Sequence, residues 1–163
     1  MKNKVNPEQL KEAMRAWITG VAIVTGYHDG DIHGMTANSF NSIALSPPTV
    51  LVALRQHTRT NQIVKAGGVF GVSILNTDQE DLAKRFAGQI DIDQPRFQGV
   101  DTFNLVTKAP LIEKGISFLD CKVINSFDVG DTTVFLGEVL AARKNGSGAD
   151  PLLYLNREWR RLA

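Results

Sequence analysis

Two interruptions limit what the first third of this chain can become. Pro47-Pro48 ends one extended run and forbids helix there, while Asp29-Gly30 carries the signal of a hairpin turn. They divide three runs of strand-forming residues, at 20–26, 34–46 and 49–55, and three antiparallel strands in succession suggest a barrel or a meander. The third run, Thr49-Val50-Leu51-Val52-Ala53-Leu54-Arg55, is almost wholly apolar, as expected in the middle of a closed or doubly covered sheet.

The run 34–46 reads as one strand, the second of the hairpin, with too many hydroxyl and amide side chains for an ordinary half-buried strand. Thr36, Asn38, Asn41 and Ser42 set neutral donors and acceptors beside Ala37, Phe40 and Ile43, a mixture suited to a flat heteroaromatic ligand with a polar tail. The alternative is an edge strand whose polar face meets solvent.

A second candidate binding feature follows at His57-Thr58-Arg59-Thr60, where Thr58 caps a helix closed by Gly67. The first turn gathers free backbone N–H groups, two hydroxyls and the Arg59 guanidinium, which together make a phosphate cradle at the positive end of the helix dipole. A capped surface helix with a solvated arginine is the competing reading.

Two further helices are expected. The first starts at Asn6, with Pro7 and Gln9 completing a capping box, and lays Leu10, Ala13, Met14 and Trp17 as one apolar stripe on the body of the protein. That pattern makes Trp17 a core residue. The other opens on a Thr77-Asp78-Gln79-Glu80 capping box and runs to Gly88, with Arg85 complementing the dipole in its last turn. Strands are expected at 69–75, 116–127 and 132–142, the last two joined by Asp128-Val129-Gly130-Asp131. A further turn falls at Asn145-Gly146-Ser147-Gly148, and the chain ends on a strand-like Arg157-Glu158-Trp159-Arg160-Arg161. Residues 89–110 form an irregular loop whose acids, Asp91, Asp93 and Asp101, lack the spacing of a calcium loop.

Composition narrows the functional classes. With 163 residues and 43% hydrophobic content, the chain is expected to form one domain, 1–163. Lys and Arg number 18 against 17 acidic residues, so nothing electrostatic favours nucleic acid or an anionic membrane; an oligonucleotide-binding barrel is disfavoured on the same ground. The lone Cys121 lies in an apolar pattern and reads as a packing residue, and with three scattered histidines it assembles no zinc set. With no apolar run long enough to span a bilayer and no apolar leader, the expected location is the cytoplasm. No nucleophile elbow, metal-ligand cluster or nucleotide-binding glycine motif is present, so a catalytic role requires a cofactor to carry the chemistry.

The chain resembles the flavin reductase-like, FMN-binding split-barrel family, small reductase components of two-component flavin monooxygenases, over about residues 16–161. The resemblance rests on Thr-Gly-Val-Ala-Ile-Val-Thr at 19–25, His-Gly-Met-Thr-Ala-Asn-Ser-Phe at 33–40 and Ser-Pro-Pro-Thr-Val-Leu-Val at 46–52. It continues in His-Thr-Arg-Thr at 57–60, Leu-Ala-Lys-Arg-Phe-Ala-Gly at 82–88 and Asp-Pro-Leu-Leu-Tyr at 150–154. It implies a mainly β fold with short helices: a six-stranded antiparallel Greek-key split barrel that forms a homodimer.

It also implies an NAD(P)H-dependent flavin oxidoreductase that passes a hydride from NADH or NADPH to FMN or FAD and supplies reduced flavin to a partner monooxygenase. By resemblance, Met35, Thr36, Ala37, Asn38 and Ser39 line the flavin ring and ribityl chain, and Val52, Ala53, Leu54 and Arg55 form the adjacent wall. Thr58, Arg59 and Thr60 take the phosphate end, and Arg85 and Phe86 add contacts. No side chain is assigned as a catalytic acid or base. One departure stands out: where the family often has Gly-Asp-His, this chain has Gly130-Asp131-Thr132, which leaves Thr132, or His33 in its place, on the nicotinamide side. That substitution keeps a second reading open, an FMN-binding electron-transfer protein without pyridine-nucleotide activity.

Overall fold

The computed structural model describes residues 5–90, 93–146 and 148–162. In chain order the elements are α1 (Pro7–Met14), β1 (Thr19–Gly20), β2 (Ala22–His28), β3 (Asp31–Ala37), β4 (Phe40–Leu45), β5 (Pro48–Arg55), α2 (Arg59–Gly67) and β6 (Val69–Ile74). A 3-10 turn (Thr77–Gln79) leads into α3 (Glu80–Phe86), followed by β7 (Thr102–Phe103), β8 (Leu111–Ile112), β9 (Ser117–Val129), β10 (Thr132–Lys144), β11 (Leu153–Leu155) and β12 (Glu158–Arg160). The Asp29-Gly30 hairpin forms as expected, both residues taking positive φ, at 47° and 92°.

The principal sheet has seven strands in the order β3-β2-β6-β9-β10-β5-β4, all pairs antiparallel. The expected single strand over 34–46 is therefore two: β3 stops at Ala37, β4 starts at Phe40, and the halves lie on opposite edges. The principal sheet thus has seven strands where the resemblance implies the six of a split barrel, and β3 and β4 are joined by chain and by no ladder. The connection dictates the shape. Six inter-strand spacings of ~4.8 Å would put the edges of a flat sheet about 29 Å apart, whereas three residues reach at most about 11 Å. The sheet must curl until its edges nearly meet. Ser39 holds the crossing, its hydroxyl donating to Ala53 O at 2.6 Å and its carbonyl accepting from Ala53 N at 3.1 Å.

Inside the curl, Val24, Val52, Leu54, Val72, Phe70 and Phe135 pack with Val64 of α2 and the buried Cys121. Burial holds that thiol protonated, its pKa pushed up to about 12, in keeping with a packing role. On the outer face Val21, Ile23, Leu75, Ala83, Phe86 and Leu152 form a second core under α3 and the β1-β11-β12 sheet.

Several local expectations shift. The box before α3 is Asn76 with Gln79, one residue earlier than Thr77 with Glu80, because Asn76 is the last extended residue before the turn and its side chain accepts from Asp78 N. Gly67 is the last residue of α2, and Gly68 supplies the left-handed cap at φ 67°. The capping box of α1 forms, but its stripe does not reach the core: Leu10, Met14 and Trp17 are 58%, 52% and 65% exposed. The expectation that Trp17 is core fails: α1 ends at Met14 and buries no residue, and Trp17, three residues on, lines an open surface depression. The turn expected at Ser147 and the acidic position Asp91 fall outside the described residues. No described helix is long and apolar enough to cross a membrane.

The seat of α2 depends on a missing side chain. A Cβ on Gly67 would lie 1.9 Å from the carbonyl oxygen of Tyr27. Gly67→Ala is expected to lower unfolding free energy by about 1–3 kcal/mol, since backbone must move to admit the methyl; urea denaturation followed by circular dichroism measures it, and an unchanged midpoint would refute the close approach.

Candidate functional site

Because β3 is an edge strand, one side of its backbone is open, and its side chains alternate between the two faces of the sheet. A helix meets each face. On the inner face, His33 Nδ1 and Thr60 Oγ1 at the start of α2 are 2.8 Å apart. On the outer face, Thr36 donates through Oγ1 to Ala83 O of α3 at 2.6 Å. The position a Cβ on Gly34 would take lies 3.1 Å from the Phe86 ring and 3.2 Å from that of Phe97. The two sequence features thus converge on a single open edge, with Thr36 about 10 Å along the strand from His33 at ~3.3 Å per residue.

Two adjoining depressions share Val21 and Asn38. The larger, about 730 Å³, is walled by Trp17, Thr19, Asn38, Ser39, Phe40 and Ala53 among others. The smaller, about 180 Å³, is bounded by Thr36, Asn38, Ala87, Gln89, Tyr154 and Trp159, with Val21 at its floor. Of the candidate ligand-binding residues named from sequence, Thr36, Asn38, Ser39, Phe40, Asn41 and Ala53 line these spaces. Met35 and Ala37 face the inner core, as do Val52 and Leu54, and Phe86 is enclosed in the outer core against Phe97, their ring centroids 5.1 Å apart.

At the other end, Thr58 caps α2, its Oγ1 accepting from Asn61 N at 3.3 Å. Arg59 is exposed and reaches Asp31 only at 3.5 Å, and the amides of Arg59 and Thr60 have no acceptor among the described residues. Arg55 and Thr132 are ladder partners at the rim, and Thr132 Oγ1 lies 3.0 Å from Asp131 Oδ1.

Sequence reasoning named Arg85 as a flavin contact but missed Arg96, with which it forms a reciprocal pair. Arg85 donates from Nη2 to Pro95 O at 3.1 Å and Gln98 O at 2.8 Å, while its buried Nε has no partner. In return Arg96 donates from Nη1 to Gly34 O at 3.0 Å and Phe86 O at 3.3 Å. The loop after α3 is thereby fastened to the open edge of β3. No periodicity marks Arg96 in sequence, and its partners are main-chain carbonyls distant along the chain. Tyr154 and Trp159 were also not foreseen as wall residues; only the shared cavity identifies them.

The cations set the charge of this edge. Burial first, then the guanidiniums of Arg96 and Arg59, pull the His33 pKa down to about 4, so the imidazole is neutral near pH 7. Neutral His33 adds no charge of its own beside Arg96, which is bonded to Gly34 O and Phe86 O, and the exposed Arg59. Because its folded value lies below the ordinary 6.5, the unfolded chain binds the extra proton between about pH 4 and 6.5, and stability rises with pH across that window. Unfolding by urea at pH 4.5 and pH 7 is expected to show a smaller pH difference for His33→Gln than for the parent chain; equal differences would remove His33 from the titration.

Three comparisons bear on this arrangement. A family described as flavin reductase like domain matches residues 14–163. An NADH-dependent FAD reductase of Streptomyces globisporus is 36% identical over 162 residues, spanning 95% of this chain and 85% of that one. The reductase subunit of a flavin-dependent monooxygenase from Mycobacterium tuberculosis is 30% identical over 139 residues, spanning 85% and 73%. Among solved structures, an NADH:FAD oxidoreductase of Streptomyces globisporus C-1027, in complex with NAD and FAD fragments, superposes with a TM-score of 0.87 at 34% identity, covering 99% of this chain and 97% of that one.

Proposed function

The chain belongs to the flavin reductase like domain family, and from that premise we propose that it is a cytoplasmic NADH-dependent flavin oxidoreductase that supplies reduced flavin to a partner monooxygenase. The observation that carries the reading is the meeting of a hydroxyl- and amide-bearing strand end with a cationic helix start on one open edge of the sheet.

The residues present fit a flavin mononucleotide unit. The unpartnered amides at the start of α2, the Thr58 and Thr60 hydroxyls and the Arg59 guanidinium suit a phosphate. The backbone edge of β3 past Gly34, whose carbonyl Arg96 takes, with Asn38 and Ser39 beyond it, suits the imide and ring nitrogens of an isoalloxazine, and Ala53 leaves room for a flat ring. When bound, flavin supplies the two-electron acceptor chemistry that no side chain here offers. The chain's own part is to bind the phosphate, orient the ring and keep bulk water off one side of it. Thr132 does not supply an imidazole, but ring-to-ring placement governs hydride transfer and does not require one. FMN and FAD share the unit these residues address.

A homodimer of the split-barrel type completes the proposal. From Ile124 to Val129, β9 is exposed throughout, and Ile43 and Leu45 of β4 project 52% and 94% into solvent beside the bare stripe of α1. A second copy of this chain matches that apolar character. Light scattering is expected to return twice the 17.9 kDa chain mass, and Leu45→Glu to shift the population toward monomer; a parent protein monomeric at micromolar concentration would reject the dimer.

NADH oxidation measured with and without added FMN or FAD tests the activity. Flavin-dependent turnover is expected, with Arg59→Ala raising the KM for flavin about 10-fold through loss of a charge-assisted contact. No flavin-dependent turnover with NADH or NADPH would reject the assignment, and reduction by a protein donor alone would favour the electron carrier.

A further inference from the structure

His33 stands where the start of α2 meets β3, and the charges that act on it share one sign. From α2 come Arg59 and Thr60, the latter fully buried with its Oγ1 2.8 Å from His33 Nδ1. From the loop after α3 comes Arg96, bonded to the neighbouring Gly34 O. On β2 the ladder partner is Gly26, which has no side chain, while Tyr27 pairs with Ile32 and so falls on the other face of the sheet. Asp31, two residues back along β3, lies against Arg59 at 3.5 Å with both groups exposed. The charges felt by the imidazole are therefore those of Arg96 and Arg59.

Nδ1 is committed to Thr60, so Nε2 is the ring nitrogen without a partner among the described residues. Burial and the two guanidiniums keep the ring neutral, its pKa pulled down to about 4, and the positive end of the α2 dipole acts in the same direction. The Arg59 and Thr60 amides of that helix start have no acceptor among the described residues. Two cations, two free N–H groups and an imidazole make a set that lacks an anion. A phosphate brought into it reverses the sign of the field at His33: an opposite charge within ~5 Å is worth roughly two pH units to an imidazole.

Resting on the flavin reading above, we propose that His33 is a proton-coupled ligand of the flavin phosphate: neutral in the absence of an anion, it takes up a proton as the phosphate docks and adds its charge to those of Arg59 and Arg96. The proton comes from solvent and sits on the nitrogen left without a partner, Nδ1 keeping its bond to Thr60. Because the bound form holds the extra proton, flavin affinity rises as pH falls through the range between the ordinary 6.5 and about 4. At neutral pH the ring is largely uncharged and the phosphate is held by Arg59 and the helix start.

Titrations with FAD, read by flavin fluorescence at constant ionic strength and at about pH 5.5 and pH 7.5, decide it. FAD is the probe because its diphosphate keeps its charge across this range, whereas the phosphate monoester of FMN itself titrates near pH ~6. The dissociation constant is expected to be about 3-fold lower at the acid value, as for an imidazole raised to about 6 by the anion. His33→Gln is expected to abolish the difference, and riboflavin, which has no phosphate, to show none in either chain. Equal constants at the two pH values, or a difference that survives in His33→Gln or appears with riboflavin, overturn the proposal.

A readout in the parent chain separates failure of this coupling from failure of the function. The chain has three histidines, so the ring signal of His33 can be followed by NMR and identified by its loss in His33→Gln. Saturating inorganic phosphate is expected to raise the His33 pKa by ~1 pH unit or more over its value without the anion. Such a rise supports the proton-coupled anion site even if no flavin turnover is found. An unchanged value overturns it even in an active flavin reductase.

Discussion

Everything at the candidate site depends on the two residues between β3 and β4. Asn38 and Ser39 carry the chain from one edge of a seven-stranded sheet to the other, and Ser39 is fastened to Ala53 by a pair of hydrogen bonds. So short a connection imposes the curl, and the curl brings the Thr36 end of β3, the wall of β5 and the terminal hairpin within reach of one another. The open ladder between the two edges is as consequential as the closed remainder. It leaves backbone at the β3 edge outside any ladder.

The helices then divide the labour by face. α2 plugs the inside of the curl, its Val64 in the inner core and its N-terminus at the rim beside His33. α3 lies on the outside, its Ala83 carbonyl taking the Thr36 hydroxyl. β3 is gripped from both sides, and on its outer edge Arg96 takes the Gly34 carbonyl. The loop after α3 is drawn into the same unit by Arg85 and Arg96, each binding main chain on the other's segment. Guanidinium groups suit this task because one planar fork can serve two carbonyls and keep its charge. Arg96 therefore both ties the loop to Gly34 and adds to the positive potential that keeps His33 neutral.

Solvent-exposed apolar surface is concentrated in the parts that do not build this unit. The distal half of β9, β4 and the α1 stripe bury little within one chain, although their patterns are those of ordinary amphipathic elements. A helix whose apolar stripe finds no partner in its own chain needs a second surface.

Much of this was legible in the residues. Asp29-Gly30, Pro47-Pro48, Asn6 with Gln9, and Thr58 with Gly67, one residue short of the Gly68 cap, act through local φ/ψ and capping preferences, so hairpin, strand end and helix boundaries could be read to within a residue or two. The polar character of 36–39 and the capped helix start at 58–60 were visible for the same reason, since side-chain chemistry belongs to the sequence. What the sequence could not decide was which distant segments meet. The break at Asn38–Ser39, the exposure of Trp17, the crossed arginines and the company Trp159 keeps all depend on contacts between residues tens of positions apart. Such contacts are set by how the curled sheet distributes its two faces, which no local preference encodes.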